Sequence, residues 1–335
     1  MYWGKMKNQN QSRWIKVIVP ELQMRAVVIH GKDLIRTLTR EVHELEGASA
    51  ERLGEAALGA LLIGSNLKPT QRLNLRVEGL SSRTRVAIVD THYGGKVRGY
   101  LVERDLTDEE KKEKRQQLEA KKSSSRSQVS GKEQDTPKEP NENHLSDHLN
   151  GPWGVGNLTV LRSSDRPEKV PYSGTVPLLT GHLAKDLTFY LHQSEQIPSA
   201  VGLKVSFEKN EVQYASGFMI QALPGADKKQ LAKIEDRIHE FHDVFHQLNE
   251  TQPILKALAQ IFNTEKLSVI DELKLQAFCT CGQGKVENAM TFLQTDELKD
   301  ILKNEGSADV TCDFCKTHYR VSEAQLEAMI QERTN

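Results

Sequence analysis

The chain has 335 residues and carries 45 Lys and Arg against 46 Asp and Glu, a net charge of -1, at a length that predicts two or three folding units. That balance argues against the strongly basic footprint of a dedicated nucleic-acid binder. No stretch approaches the ~18 apolar residues of a membrane span, and the opening residues lack a signal-peptide core, so the expectation is a soluble, cytoplasmic chain with no membrane partner.

From 17 to 225 the pattern predicts an α+β core domain of mixed α/β character. After the apolar run Val27-Val28-Ile29, a helix is predicted from Asp33 to Leu45, with Leu34, Leu38, Val42 and Leu45 at helical spacing. A second helix runs from Ser49 to Leu67 and is closed by Pro69. Alternation at Leu73, Leu75 and Val77, then from Arg85 to Val89 and from Val97 to Val102, reads as antiparallel strands, with Gly94-Gly95 as a hairpin turn. Ordered pattern resumes with strands at Gly154 to Leu161 and Gly174 to Leu179, a helix from Ala184 to Gln193, and strands from Val201 to Phe207 and Val212 to Ala222. Between the two halves, 104–150 is rich in Lys, Glu, Ser and Gln and reads as a solvated, disordered insertion, because such composition cannot offset the entropy of ordering.

The segment 226–275 reads as a helical linker. Leu231, Ile234, Ile238, Phe241, Phe245 and Leu248 recur at alternating steps of three and four, an apolar stripe on an otherwise charged helix. Two readings stay open at this point. The stripe packs on the core, or its small apolar area makes a detachable, metastable helix.

All four cysteines, Cys279, Cys281, Cys312 and Cys315, fall in the last 57 residues, so 276–335 reads as a small zinc-binding domain. Four thiolates complete a tetrahedral zinc shell, and His318 is then a packed or exposed side chain rather than a ligand. The second pair, Cys312-Asp-Phe-Cys315, has ordinary zinc-ribbon spacing. The first, Cys279-Thr-Cys281, is tighter, and a bridge across so short a tether demands a strained turn of the kind found in easily reduced, regulatory disulfides. A purely structural ribbon and a redox switch both fit this spacing. Val286, Met290, Leu293, Leu298, Ile301 and Leu302 supply a helical pair, and Val321, Leu326, Met329 and Ile330 a closing helix. Six Lys and Arg against ten Asp and Glu in 276–335 weigh against the main rival, a nucleic-acid-binding zinc ribbon. No βαβ context precedes Cys312, which weighs against a thiol-disulfide oxidoreductase. No triad, phosphate loop or carboxylate pair suggests an enzyme.

Phe278-Cys279-Thr-Cys281, the thirty-residue spacer and Cys312-Asp-Phe-Cys315-Lys-Thr-His-Tyr319 resemble the redox-regulated 33-kilodalton heat-shock chaperone family. Gly59 to Lys68, Gly154 to Val160, Tyr172 to Val176 and Leu187 to Pro198 are similar to its core segments. The resemblance covers the chain apart from roughly the first 20 residues and the insertion. It implies an ATP-independent holdase, inactive while reduced, with one zinc ion held by Cys279, Cys281, Cys312 and Cys315. It also implies that oxidation pairs Cys279 with Cys281 and Cys312 with Cys315 and releases zinc. The linker then unfolds, the chain forms a homodimer, and unfolding client proteins are bound. The departure from the family pattern is the insertion at 104–150.

Overall fold

The computed structural model describes residues 11–80, 82–104, 151–166, 168–240 and 251–334. The insertion expected at 104–150 lies outside them apart from Arg104, and so do Phe241, Phe245 and Leu248 of the linker stripe.

The fold is α+β, built on two large sheets. The first has five strands, all antiparallel, in the order β10-β1-β2-β9-β8: β1 is Arg13–Val19, β2 Met24–His30, β8 Ser199–Glu208, β9 Glu211–Ala222 and β10 Ser268–Lys274. The second has six, in the order β11-β5-β4-β3-β6-β7: β3 is Gln71–Gly79, β4 Thr84–His92, β5 Lys96–Glu103, β6 Gly156–Ser164, β7 Tyr172–Pro177 and β11 Gln276–Ala277. Only the β11–β5 pairing in it is parallel. The β4–β5 hairpin turns at Gly94 and Gly95, with φ of 81° and 69°, where a side chain would be strained.

Helix α2, Gly47–Gly64, and helix α3, Leu183–Ser194, fill the space between the sheets. Twelve of the eighteen residues of α2 are buried, because it meets both sheets and α3. Small residues permit the approach: a Cβ on Gly59 would lie 2.7 Å from Leu187 Cδ1. The five-stranded sheet is covered on its other side too. Val27 and Ile29 of β2 face α2, while Met24, Ala26 and Val28 face helices α4, Lys228–Glu240, and α5, Thr251–Phe262. Burial on both faces explains the unbroken apolar run in β2.

The predicted helix from Asp33 to Leu45 is interrupted. A five-residue helix α1, Lys32–Arg36, passes into a π-helical turn over Thr37–Glu41. Thr39 Oγ1 donates to the Ile35 carbonyl at 2.7 Å, and the Val42 amide reaches back to the Thr37 carbonyl. Such side-chain back-bonding widens the turn. Leu34, Leu38 and Val42 are nevertheless buried, as their spacing suggested. Strand β1 begins four residues before the expected core boundary at 17. In the stretch 226–275, expected to be helical, α4 and α5 are followed by strand β10, which pairs with β1. Ile234 is buried in the cluster beneath α4 and α5, alongside Ile254, Leu258, Ile261 and Phe262.

The C-terminal module has its own core. Helices α6, Gln283–Met290, α7, Thr295–Glu305, and α8, Glu323–Thr334, pack with a hairpin of β12, Ala308–Thr311, and β13, His318–Val321. Val286, Met290, Leu298, Ala308, Val321 and Leu326 are buried together. Gln294 caps α7 in a reciprocal capping box with Glu297, satisfying amides that the first turn leaves unbonded. Among the described residues no helix is long and apolar enough to cross a membrane.

Candidate metal centre

The two cysteine pairs arrive from separate segments of the module. Cys279 and Cys281 lie on the extended segment that follows β11, just before α6. Cys312 and Cys315 flank the turn of the β12–β13 hairpin, which is closed by bonds from the Lys316 amide to the Cys312 carbonyl at 2.8 Å and from the Cys312 amide to the Thr317 carbonyl at 3.0 Å. Lys316 adopts a φ of 56° so that the chain can fold back. Closing the hairpin brings all four sulfurs within 4.8 Å of one another.

That arrangement fits a thiophilic cation. Tetrahedral zinc with bonds of about 2.3 Å separates its sulfurs by about 3.8 Å. Here Cys279 and Cys312 are 3.8 Å apart, and Cys281 and Cys315 3.2 Å. The crowding is also visible in the acidity of the bare thiols. Burial pushes Cys281 up to about 12 and also raises Cys312. Burial acts in the same direction on Cys315, but hydrogen bonds with Thr317, Cys281 and Cys312 together outweigh it and bring that thiol down to about 7. Sulfurs this close cannot all ionise unaided, and a divalent cation removes the conflict.

Further groups fix the sulfurs from outside. The Tyr319 hydroxyl donates to Cys281 Sγ at 3.0 Å, and Thr317 Oγ1 lies 3.2 Å from Cys315 Sγ. Such partners orient ligands and tune their basicity. His318 Nδ1 lies 2.8 Å from Thr311 Oγ1.

The module rests against the six-stranded sheet. Lys96, Arg98 and Tyr100 occupy alternate positions of β5 and therefore one face. The Lys96 ammonium lies 4.6 Å from the Phe278 ring centre, the Arg98 guanidinium 3.9 Å from that of Phe314, and the Tyr100 ring meets Phe314 edge-on at 4.9 Å. Arg98 also approaches Cys279 Sγ at 3.6 Å. Burial lowers the Arg98 pKa, but Asp90 and Cys279 outweigh it, so the guanidinium is held more firmly charged. Burial, and then Lys316, hold nearby His43 below its ordinary value.

Sequence reasoning brought the four cysteines together. It assigned no role to Tyr319, although it stands in the quoted motif, and it missed Arg98, Tyr100 and Phe314 as contacts between module and core. The one available signal for the first two was that Lys96, Arg98 and Tyr100 share a strand face.

Comparison with known proteins agrees with this architecture. A family model described as Hsp33 protein matches residues 12–322. The chain is 29% identical over 322 residues to 33 kDa chaperonins of Streptococcus pneumoniae strains Hungary19A-6 and CGSP14, covering 96% of this chain and 99% of each relative. The crystal structure of the 33 kDa chaperonin, a heat shock protein 33 homolog, from Thermotoga maritima superposes with a TM-score of 0.74 at 25% identity, covering 97% of this chain and 99% of that one.

Proposed function

The chain belongs to the Hsp33 family of chaperones, and on that premise we propose that it is an ATP-independent holdase switched on by oxidation of its C-terminal cysteines. The observation that carries the reading is the convergence of four thiols, from segments thirty residues apart, on one point. Cys279, Cys281, Cys312 and Cys315 are the ligands in this reading. Bound zinc would keep all four sulfurs as thiolates and tie the two cysteine-bearing segments together.

Oxidation acts on the sulfurs. Two thiolates give two electrons to one peroxide, the S–S bond forms as the O–O bond breaks, and two protons complete two waters. A disulfide sulfur is no longer a thiolate ligand, so forming both bridges abolishes the metal site. Within the cluster the distances alone do not select partners, since Cys279 lies 3.8 Å from Cys312 and Cys281 3.2 Å from Cys315 while all four sulfurs lie within 4.8 Å of one another. Pairing Cys279 with Cys281 and Cys312 with Cys315 closes the shortest loops and leaves the two segments free to part. The crossed pairing would staple the module shut. Neighbour pairing is the one the family resemblance implies, and it would let oxidation lead to unfolding.

What the module restrains is the linker, 226–275 in this reading, between a core of 17–225 and a zinc domain of 276–335. Strands β10 and β11 continue directly into Cys279, so loss of the module frees the end of the chain that holds α4 and α5 on the five-stranded sheet. Their departure would uncover Ile15, Val17, Val28, Phe218 and Ile220, an apolar face suited to unfolding clients and to a second copy of the chain. The reading includes no enzymatic step.

The test compares reduced, zinc-loaded chain with peroxide-treated chain, without nucleotide, for co-elution with a thermally unfolding client and for mass by sedimentation. The oxidised form should bind the client and sediment as a dimer. Failure of the oxidised form to bind would overturn the proposal, and salt-sensitive DNA or RNA binding by the reduced chain would favour the zinc-ribbon alternative.

A further inference from the structure

Arg98 belongs to the core, yet it makes contacts on both sides of the boundary with the cysteine module. Its cross-strand partner on β4 is Asp90, whose Oδ2 accepts from Arg98 Nε at 2.9 Å and from Arg98 Nη2 at 2.7 Å. The remaining terminal nitrogen, Nη1, turns to the module, 3.6 Å from Cys279 Sγ and 3.5 Å from Thr280 Oγ1. The plane of the guanidinium covers Phe314, which sits between the other two cysteines. One side chain thus touches both cysteine-bearing segments. Two backbone bonds lie beside it, from the Gln276 amide to the Gly95 carbonyl at 3.0 Å and from the Phe278 amide to the Val97 carbonyl at 2.9 Å.

We propose that Arg98 is a positioning residue that reads the charge of the cysteine cluster and holds the module against β5 only while the sulfurs are thiolates. The inference rests on the redox-switch reading and names the residue that transmits it. Four thiolates around a divalent cation keep a net charge of about minus two, which a cation at hydrogen-bond distance stabilises. Disulfide sulfur is neutral, so oxidation removes the anionic partner of Nη1. Arg98 is not stranded by the module's departure, because Asp90 belongs to the same hairpin and remains paired with it. Breaking a buried ion pair by removing one partner is costly, and here neither state does so. The side chains of Arg98 and Asp90 are only 18% and 16% exposed, so the attraction to the cluster is less screened than at the open surface.

The experiment uses the full, reduced, zinc-loaded chain and its Arg98→Met and Arg98→Lys variants, with zinc per chain measured by elemental analysis. Hydrogen exchange at the Gln276 and Phe278 amides reports docking. Loss of a charge-assisted contact predicts exchange about tenfold faster at both amides in Arg98→Met, with zinc still at one per chain. Arg98→Lys should stay within about threefold of the wild type, because it keeps the charge. Peroxide should raise the wild-type rate at least to that of zinc-loaded Arg98→Met and bring the two oxidised chains to the same rate. Zinc-loaded Arg98→Met exchanging like the wild type, or Arg98→Lys as loose as Arg98→Met, would overturn the latch alone. A wild-type chain that binds no zinc would overturn the functional reading and the latch with it.

Discussion

Leu298 can be no metal ligand, yet truncating it should weaken zinc binding. Its side chain is fully buried at the centre of the module, among Val286, Met290, Ala308, Val321 and Leu326. Replacing it by Ala costs about 3 kcal/mol through lost burial and the cavity left behind. A core this small supplies no more than about 3 to 5 kcal/mol unaided, whereas structural zinc supplies roughly 10 to 16. On the proposed reading the module is folded by its metal, and any loss of folding energy appears as a loss of affinity. At 1.4 kcal/mol per decade, Leu298→Ala should raise the apparent zinc dissociation constant about 100-fold. Competition with a chromophoric chelator under reductant measures it. An affinity within threefold of the wild type would refute the reasoning, because it would mean that the metal-free module folds by itself.

Tyr319→Phe removes the hydroxyl that donates to Cys281 and should weaken zinc about tenfold, with Cys312→Ser weakening it further; the same competition assay checks both. Ile254→Ser places a hydroxyl in the cluster between α5 and the five-stranded sheet. It should loosen the linker by about 2 to 4 kcal/mol and give client protection without oxidant, measured by light scattering; a variant still fully dependent on oxidant would contradict this. Glu55 on α2 is pushed up to about 7, chiefly by burial and then by Glu51. Its folded-state pKa is above the ordinary 4.5, so the native state binds the extra proton and loses stability as pH rises between those values. Glu55→Gln should stabilise the fold by up to about 3 kcal/mol at pH 8 and by almost nothing at pH 4.5. Thermal unfolding at the two pH values decides it, and an equal shift at both would be the contrary result.

Features set by local chemistry were legible in the sequence. The cysteines declared a metal or redox site by type and spacing, and the Gly94-Gly95 turn fixed the β4–β5 hairpin. Val286, Met290, Leu298 and Leu326 of the module's buried set followed from helical periodicity, whereas Val321, expected in the closing helix, lies in β13. What escaped depends on distant partners. Strand β10 is largely exposed and charged, with no apolar alternation to announce it, and it is a strand because β1 offers a free edge. Strand β1 alternates well enough, with Ile15, Val17 and Val19 buried, but stands close behind a polar opening segment. The β12–β13 hairpin has strands of four residues, too short to show a period. Arg98 lies 181 positions from Cys279, and only the folded sheet brings the two together.

The switch itself is tested most directly by titrating oxidant into the reduced, zinc-loaded chain while following two signals in one cuvette. Zinc released to a chelator reports the state of Cys279, Cys281, Cys312 and Cys315, and light scattering from a thermally unfolding client reports protection. A redox switch requires protection to be absent at the start and to rise in step with zinc release. Full protection by the reduced chain with its zinc still bound would contradict it.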